Sequence, residues 1–189
     1  FHFGYQRKGN FQLLQQAGEQ YGFEVVDTQS LTQQALRISS TRIRDLLAKG
    51  ELTEAATMLG RKYSIAGRVS HGRKLGRTIG VPTANLLLKR RVSPVSGVFV
   101  VSVLGIKNKI YQGVANIGTR PTVQGDRQQL EVHIFDFEGD LYGEQLEVIL
   151  EQQLRNEVKF DSFAELKIQI EKDIQDAKLW HENARVKII

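Results

Sequence analysis

The sequence predicts a mainly β fold: an antiparallel barrel or sandwich carrying one C-terminal helix, preceded by an incomplete α/β segment. Three observations predict it. From Tyr63 onward apolar residues recur with a period of two, the signature of strands whose side chains alternate between faces. The runs are separated by turn signals, Lys107-Asn108, Gln124-Gly125-Asp126 and Glu138-Gly139-Asp140, with no helical stretch between them. A spacing of three and four returns only after Asp161.

The elements follow in order. Residues Phe1 to Asn10 read as a short aromatic strand end or loop. Asn10 then caps a helix in which Phe11, Leu13, Leu14, Ala17 and Tyr21 recur at helical spacing, and Gly22 stops it. Phe23 to Asp27 (FEVVD) reads as a compact strand. In RISSTRIRDLL, Ser39 or Ser40 caps a helix with Ile43, Leu46 and Leu47 on one side, closed by Lys49-Gly50, and a short helix from about Thr53 to Leu59 precedes Gly60. This series is of an α/β type but too small for a complete α/β domain, which needs several βα units. Two parts are therefore expected, 1–60 and 61–189. In the second, strands are expected at Tyr63 to Gly67, Gly97 to Leu104, Lys109 to Ala115, Gln129 to Phe135 and Gln145 to Leu150. Asp161 or Ser162 then caps a helix striped by Phe163, Leu166, Ile170, Ile174 and Ala177, which should lie across the barrel.

Composition narrows the chemistry. An apolar content of 41% over 189 residues supports a real core, and 25% charged residues with 3 Pro argue against disorder. The absence of Cys excludes disulfides, thiolate metal sites and cysteine nucleophiles; it fits a cytoplasmic location. No apolar run reaches the roughly 18 residues that a membrane span needs. The first residue is Phe1, not Met, as expected of a shortened chain. The net charge of +5 is unevenly placed: no Asp or Glu occurs from Ala55 to Gly125, whereas acids outnumber Lys and Arg from Asp126 onward. The basic half is expected to face an anion. Nucleic acid is the rival anion, although Tyr63, Phe99 and Tyr111 fall at no stacking rhythm.

Within the basic half, GRVSHGRKLGRTIGVPTAN (Gly67 to Asn85) alternates glycines with Arg68, Arg73, Lys74 and Arg77. Backbone can approach a ligand closely there while cations surround it, which suits phosphate. A glycine-punctuated hairpin with a solvated basic rim has the same composition. The loop spells neither a P-loop nor a kinase G-x-G-x-x-G. Pro82 biases Val81 towards an extended conformation, so Thr83 and Asn85 follow a rigid corner and share a side-chain direction.

Farther on, LEVHIFDF (Leu130 to Phe137) sets Glu131 and His133 on one face and Val132 and Ile134 on the other. Glu131 is either a lone carboxylate entering the barrel mouth or a surface acid on an edge strand; His133 reads as structural or solvated. No G-x-S-x-G or H-E-x-x-H occurs, and His2, His71, His133 and His181 are too scattered to suggest a metal cluster. Before the last helix, Arg155, Glu157, Lys159 and Phe160 are either a charged connector with Phe160 as a hydrophobic staple, or a flap able to cover a planar ligand.

Taken together, VSHGRKLGRTIGVPTAN, GVANIGTRPT (Gly113 to Thr122), LEVHIFDF and LRNEVKFDSFAEL resemble, in the right order, segments of the riboflavin kinase family, over Tyr63 to about Asn183. That resemblance implies a six-stranded Greek-key barrel with a C-terminal helix, and transfer of the γ-phosphate of MgATP to the 5′-hydroxyl of riboflavin. It implies that Gly72, Lys74, Gly76, Arg77 and Gly80 wrap the ATP phosphates, that Thr83 and Asn85 bind nucleotide and Mg²⁺, and that Glu131 accepts the hydroxyl proton. Arg155, Glu157, Lys159 and Phe160 would close over the flavin. FMN, and FAD beyond it, would be products and not held cofactors, with riboflavin and ATP as partners and neither nucleic acid nor membrane.

The first third, through FGYQRKGNFQLLQQAG and RISSTRIRDLL, resembles the later part of the nucleotidyltransferase module of bacterial bifunctional riboflavin kinase/FAD synthetases. Ser39, Ser40, Thr41, Arg42 and Arg44 match that module's phosphate-binding motif, but its H-x-G-H segment does not occur here, so FAD synthesis is not expected of these residues. Two other classes fit parts of the pattern: a nucleic-acid-binding barrel, and an FMN-binding module without kinase activity.

Overall fold

A computed structural model of the chain describes residues 2–26, 32–33, 36–72, 80–88, 93–107, 109–122 and 125–186. It divides into two compact units, Phe1–Ile38 and Ser39–Ile189.

The first unit holds two small antiparallel ladders, β1 (His2–Phe3) with β2 (Gly9–Asn10) and β3 (Thr32–Gln33) with β4 (Leu36–Arg37). Helix α1 (Phe11–Tyr21) begins where the Asn10 side chain accepts the Leu13 N–H at 2.9 Å and ends at Gly22, whose φ of 75° is the left-handed stop expected there. Residues 23–26 form no ladder, contrary to the strand expected at Phe23 to Asp27. An apolar run becomes a strand only where a neighbouring edge accepts its hydrogen bonds.

The second unit opens with α2 (Ser40–Ala48), capped by the Ser39 hydroxyl, and α3 (Leu52–Leu59). Six strands follow: β5 (Ser64–Ser70), β6 (Ala84–Leu87), β7 (Gly97–Ile106), β8 (Lys109–Thr122), β9 (Gly125–Ile134) and β10 (Gln145–Arg155). They close into an antiparallel barrel in the order β10, β5, β6, β9, β8, β7. Strands β7, β8 and β9 follow one another as hairpins and β10 returns beside β7, a Greek key; β5 and β6 fill the gap between β10 and β9.

Alternation along each strand fills the interior. Leu86, Phe99, Val101, Ile117, Leu130, Val132, Leu146 and Val148 are fully buried in one cluster, joined by Leu47, Leu52 and Ala55 of the two helices. By packing, therefore, residues 39–60 go with the barrel, although the sequence grouped them with the first segment. Their apolar faces are buried against this core.

Helix α4 (Phe163–Val186) starts at Ser162, whose hydroxyl accepts the Glu165 N–H at 3.2 Å. Its Ile174, Ala177 and Trp180 pack on a second cluster formed by the outward-facing Val98, Val100, Val114 and Phe135. The helix thus lies across the barrel wall, as the sequence predicts.

Candidate functional site

The wall beneath α4 carries the polar residues that the sequence singles out. Across adjacent strands, Asn85 on β6 stands opposite Glu131 on β9, Glu131 opposite Asn116 on β8, Asn116 opposite Val98 on β7, and Val98 opposite Arg155 on β10. Their neighbours along the strands, Leu86, Leu130, Val132, Ala115 and Ile117, fill the interior, so this row faces outward. Glu131 therefore sits on the outer wall and does not enter the barrel mouth. Leu130 and Val132 are 0% exposed, and that burial fixes the parity of the strand.

Hydrogen bonds tie the polar end of the row together. Gln129, one step along the outer face from Glu131, donates from Nε2 to Asn85 Oδ1 and to Glu131 Oε1, the latter at 3.0 Å. Asn85 Nδ2 lies 3.4 Å from the Thr83 carbonyl oxygen, and the Ser70 hydroxyl donates to the Asn85 carbonyl at 3.2 Å. His133 Nδ1 is 2.8 Å from the Pro82 carbonyl oxygen, pinning the corner before Thr83 to β9. Gly72 packs against the Asn85 carboxamide so closely that a Cβ there would collide with it. The glycine loop thus begins directly over Asn85, which is 6% exposed.

The middle of the row opens into a cavity of about 360 Å³. Its floor includes Thr83, Glu131, His133, Asn116, Val98 and Val114; its roof is the segment after β10 with the first turns of α4. Of the four residues expected to close over a flavin, Arg155, Glu157 and Phe160 line it, whereas Lys159 is exposed and does not. The Arg155 guanidinium forks onto the buried Asp173 carboxylate, Nε to Oδ1 at 2.9 Å and Nη2 to Oδ2 at 2.7 Å, and lies 5.8 Å from the Phe160 ring centroid. Gln169 donates to the same carboxylate at 2.8 Å. Arg155 therefore clamps the roof segment to α4, with its fork committed to protein. The Glu157 carboxylate rests on Gly118, where any side chain would displace it.

A second cavity, of about 500 Å³, lies at one end of the barrel between the inward-facing Val69, Ala84, Val132 and Ile134 and the loop from Phe137 to Tyr142. Thr83 lines both cavities. Of the remaining expected loop residues, Gly80 adopts a φ of 75° and is exposed, whereas Lys74, Gly76 and Arg77 lie outside the described residues.

Among the described residues no group of three or more His, Asp or Glu could hold a metal ion. The candidate ligands are one hydroxyl and one carboxamide oxygen, Thr83 and Asn85. That set fits a hard cation which arrives with phosphate oxygens and keeps several waters, and would not by itself cage one. Asn85 Oδ1 has two lone pairs, so accepting from Gln129 leaves one for such a cation.

Gln129, Asn116, Phe163, Leu166 and Ile170 join the site only in the tertiary structure. In the sequence Phe163, Leu166 and Ile170 belong to one helix stripe with Ile174 and Ala177; in the fold they line the cavity, while the C-terminal half of the stripe packs on the wall. Asn116 and Gln129 had a usable signal: each is a polar residue on the Glu131 face of a strand whose other face is apolar.

A family model described as riboflavin kinase matches residues 59–181, and one described as FAD synthetase matches residues 1–42. The bifunctional riboflavin kinase/FMN adenylyltransferase of Escherichia coli (strain K12) is 54% identical over 173 residues, covering 92% of this chain and 55% of that protein. Its namesake from Haemophilus influenzae is 52% identical over 178 residues, covering 94% and 58%. The chain thus spans little more than half the length of these curated relatives. The crystal structure of a macrolide-efflux protein from Streptococcus pneumoniae superposes with a TM-score of 0.68 at 37% identity, covering 92% of this chain and 56% of that one. Among the described residues of this chain, no helix is long and apolar enough to cross a membrane. With the riboflavin kinase model matching residues 59–181, well over half of the chain, the chain belongs to the riboflavin kinase family.

Proposed function

We propose that the barrel unit transfers the γ-phosphoryl group of MgATP to the 5′-hydroxyl of riboflavin, yielding FMN and ADP. The observation that carries this reading is the placement of Glu131 directly opposite Asn85 on the wall of a cavity roofed by Phe160 and Phe163. Phosphoryl transfer requires mainly positioning and compensation of negative charge. A planar tricycle needs an apolar slot, which Val98, Val114, Phe160 and Leu166 supply, and its polar chain needs a polar floor, which Asn116 and Glu131 supply.

In this reading the flavin occupies the outer cavity and the nucleotide approaches from the barrel-end cavity, with Thr83 at the rim of both. The ribityl oxygen forms a bond to the γ-phosphorus as the bond from that phosphorus to the β,γ-bridging oxygen breaks. The bridging electrons leave with ADP, and the hydroxyl proton passes to Glu131. Mg²⁺, when bound with ATP, supplies charge compensation on the phosphates, and Thr83 and Asn85 would hold it. Gly72 and Gly80 bring backbone close to the phosphates, and the charges of Lys74 and Arg77, with Gly76 between them in sequence, serve the same phosphates. Glu157 and Phe160 contact the flavin, Lys159 adds charge outside the cavity, and Arg155 keeps the roof in place. The division into 1–60 and 61–189 is proposed as one of module ancestry, distinct from the packing division after Ile38.

Incubation of the purified chain with riboflavin and MgATP, followed by chromatography, tests the reading. FMN and ADP in equal amounts are expected. Flavin binding with no FMN formed would overturn it in favour of a flavin-holding module, and steeply salt-dependent nucleic-acid binding without turnover would favour the other class.

A further inference from the structure

One buried polar side chain on the wall has no part in the reaction as described. Gln129 is 8% exposed, standing between Leu87 on β6 and Gly118 on β8. Burying a carboxamide is unfavourable unless its groups are paired, and its Nε2 is paired twice, with Asn85 Oδ1 and with Glu131 Oε1. A primary amide carries two N–H groups in one plane at a fixed angle, so serving both acceptors fixes their relative placement.

The pairing also has a direction. An ionised carboxylate only accepts hydrogen bonds, so Glu131 requires Gln129 to present its nitrogen. That nitrogen requires Asn85 to present its oxygen, and the Asn85 nitrogen then faces the Thr83 carbonyl. A flipped Asn85 would set donor against donor at Gln129 and acceptor against acceptor at Thr83.

We propose that Gln129 is a positioning residue for phosphoryl transfer, which holds Asn85 with its carboxamide oxygen available to the phosphate-bound cation and sets it in register with Glu131. The proposal rests on the kinase reading above. Removing Gln129 leaves only the long Thr83 contact to oppose rotation of Asn85, so its nitrogen can turn towards the cation, an arrangement no cation accepts. Gln129 itself touches neither substrate.

The test uses Gln129→Met and Gln129→Glu in the full chain. Methionine keeps length and apolar bulk but loses both N–H groups; glutamate keeps the shape and places a like charge beside Glu131. Five quantities are read: kcat for FMN formation, riboflavin affinity by flavin fluorescence quenching, MgADP affinity and metal-free ADP affinity by calorimetry, and the melting transition. For Gln129→Met, kcat and MgADP affinity should each fall about 10- to 100-fold, the range for loss of an outer-shell partner. Riboflavin affinity and metal-free ADP affinity should stay within about two-fold. Gln129→Glu should be worse than Met on kcat.

A space-filling role alone predicts a Met variant at least equal to the parent in kcat and MgADP affinity. A folded Gln129→Met protein with parental kcat and MgADP affinity overturns the proposal. If it does not melt cooperatively, Gln129→Asn replaces it with the same expectation, because one methylene fewer prevents the amide from spanning both acceptors. An unsubstituted chain that makes no FMN defeats the kinase reading instead, and the MgADP comparison still decides the role of Gln129.

Discussion

Asn85 and Glu131 face one another across β6 and β9, and a single nitrogen, Gln129 Nε2, donates to both. An amide and a carboxylate that lie 46 residues apart in sequence are thereby held as neighbours on the outer wall of a barrel. Several consequences of this arrangement are measurable.

Glu131→Gln keeps the shape of the wall and removes the carboxylate proposed to take the proton. Turnover should fall by about 10² to 10⁴, the usual contribution of a general base, while riboflavin affinity measured by fluorescence quenching changes little. Parental turnover in this variant would remove Glu131 from proton transfer.

Gly72→Ala should act through Asn85. The added methyl group meets the Asn85 carboxamide, so either the loop lifts or the amide turns. Steady-state kinetics should show kcat/KM for MgATP lowered, by as much as about 10²-fold for a misplacement near 1 Å, with KM for riboflavin retained. Thermal melting should show only the modest loss, about 1–3 kcal/mol, typical of overpacking.

Asp173→Ala separates roof from helix. It leaves the Arg155 guanidinium, whose side chain is 22% exposed, without its carboxylate. Denaturant unfolding should show a loss of about 3 kcal/mol, the lower range for a broken buried pair, and KM for riboflavin should rise as the roof loosens. Arg155→Lys should not rescue the geometry, because one ammonium cannot reproduce a two-pronged contact.

The stripe of α4 should separate into two functions under mutation. Phe163 is 54% exposed and lines the cavity, so Phe163→Ala should change stability by no more than about 0.5 kcal/mol while raising KM for riboflavin. Ile174 packs with Ala177 against the wall; Ile174→Ala should reduce stability by about 2 kcal/mol and leave KM near its parental value. Equal effects of both variants on both quantities would refute this division.

The sequence was legible where local chemistry decides the outcome. Asn10, Ser39 and Ser162 cap the helices expected of them, because a short side-chain oxygen next to free N–H groups needs no distant partner. The strand FEVVD was misread because a ladder depends on a neighbouring edge that no local pattern reports. Glu131 stands out in the sequence, but its side of the barrel does not: alternation gives two faces without saying which one is inside.

What the amino-acid order determined alone was the set of elements, the caps and turns between them, and the motifs that tie the chain to its family, since these depend on residues within a few positions of one another. Closure of the barrel decided the rest. It buried Leu130 and Val132 and so turned Glu131 outward, brought Gln129 against Asn85, and fastened Arg155 to Asp173 instead of leaving it to a ligand. Each of these pairings joins residues on different strands or on a strand and a helix, or depends on which face of the sheet is sealed from water, and that is settled only when the strands meet.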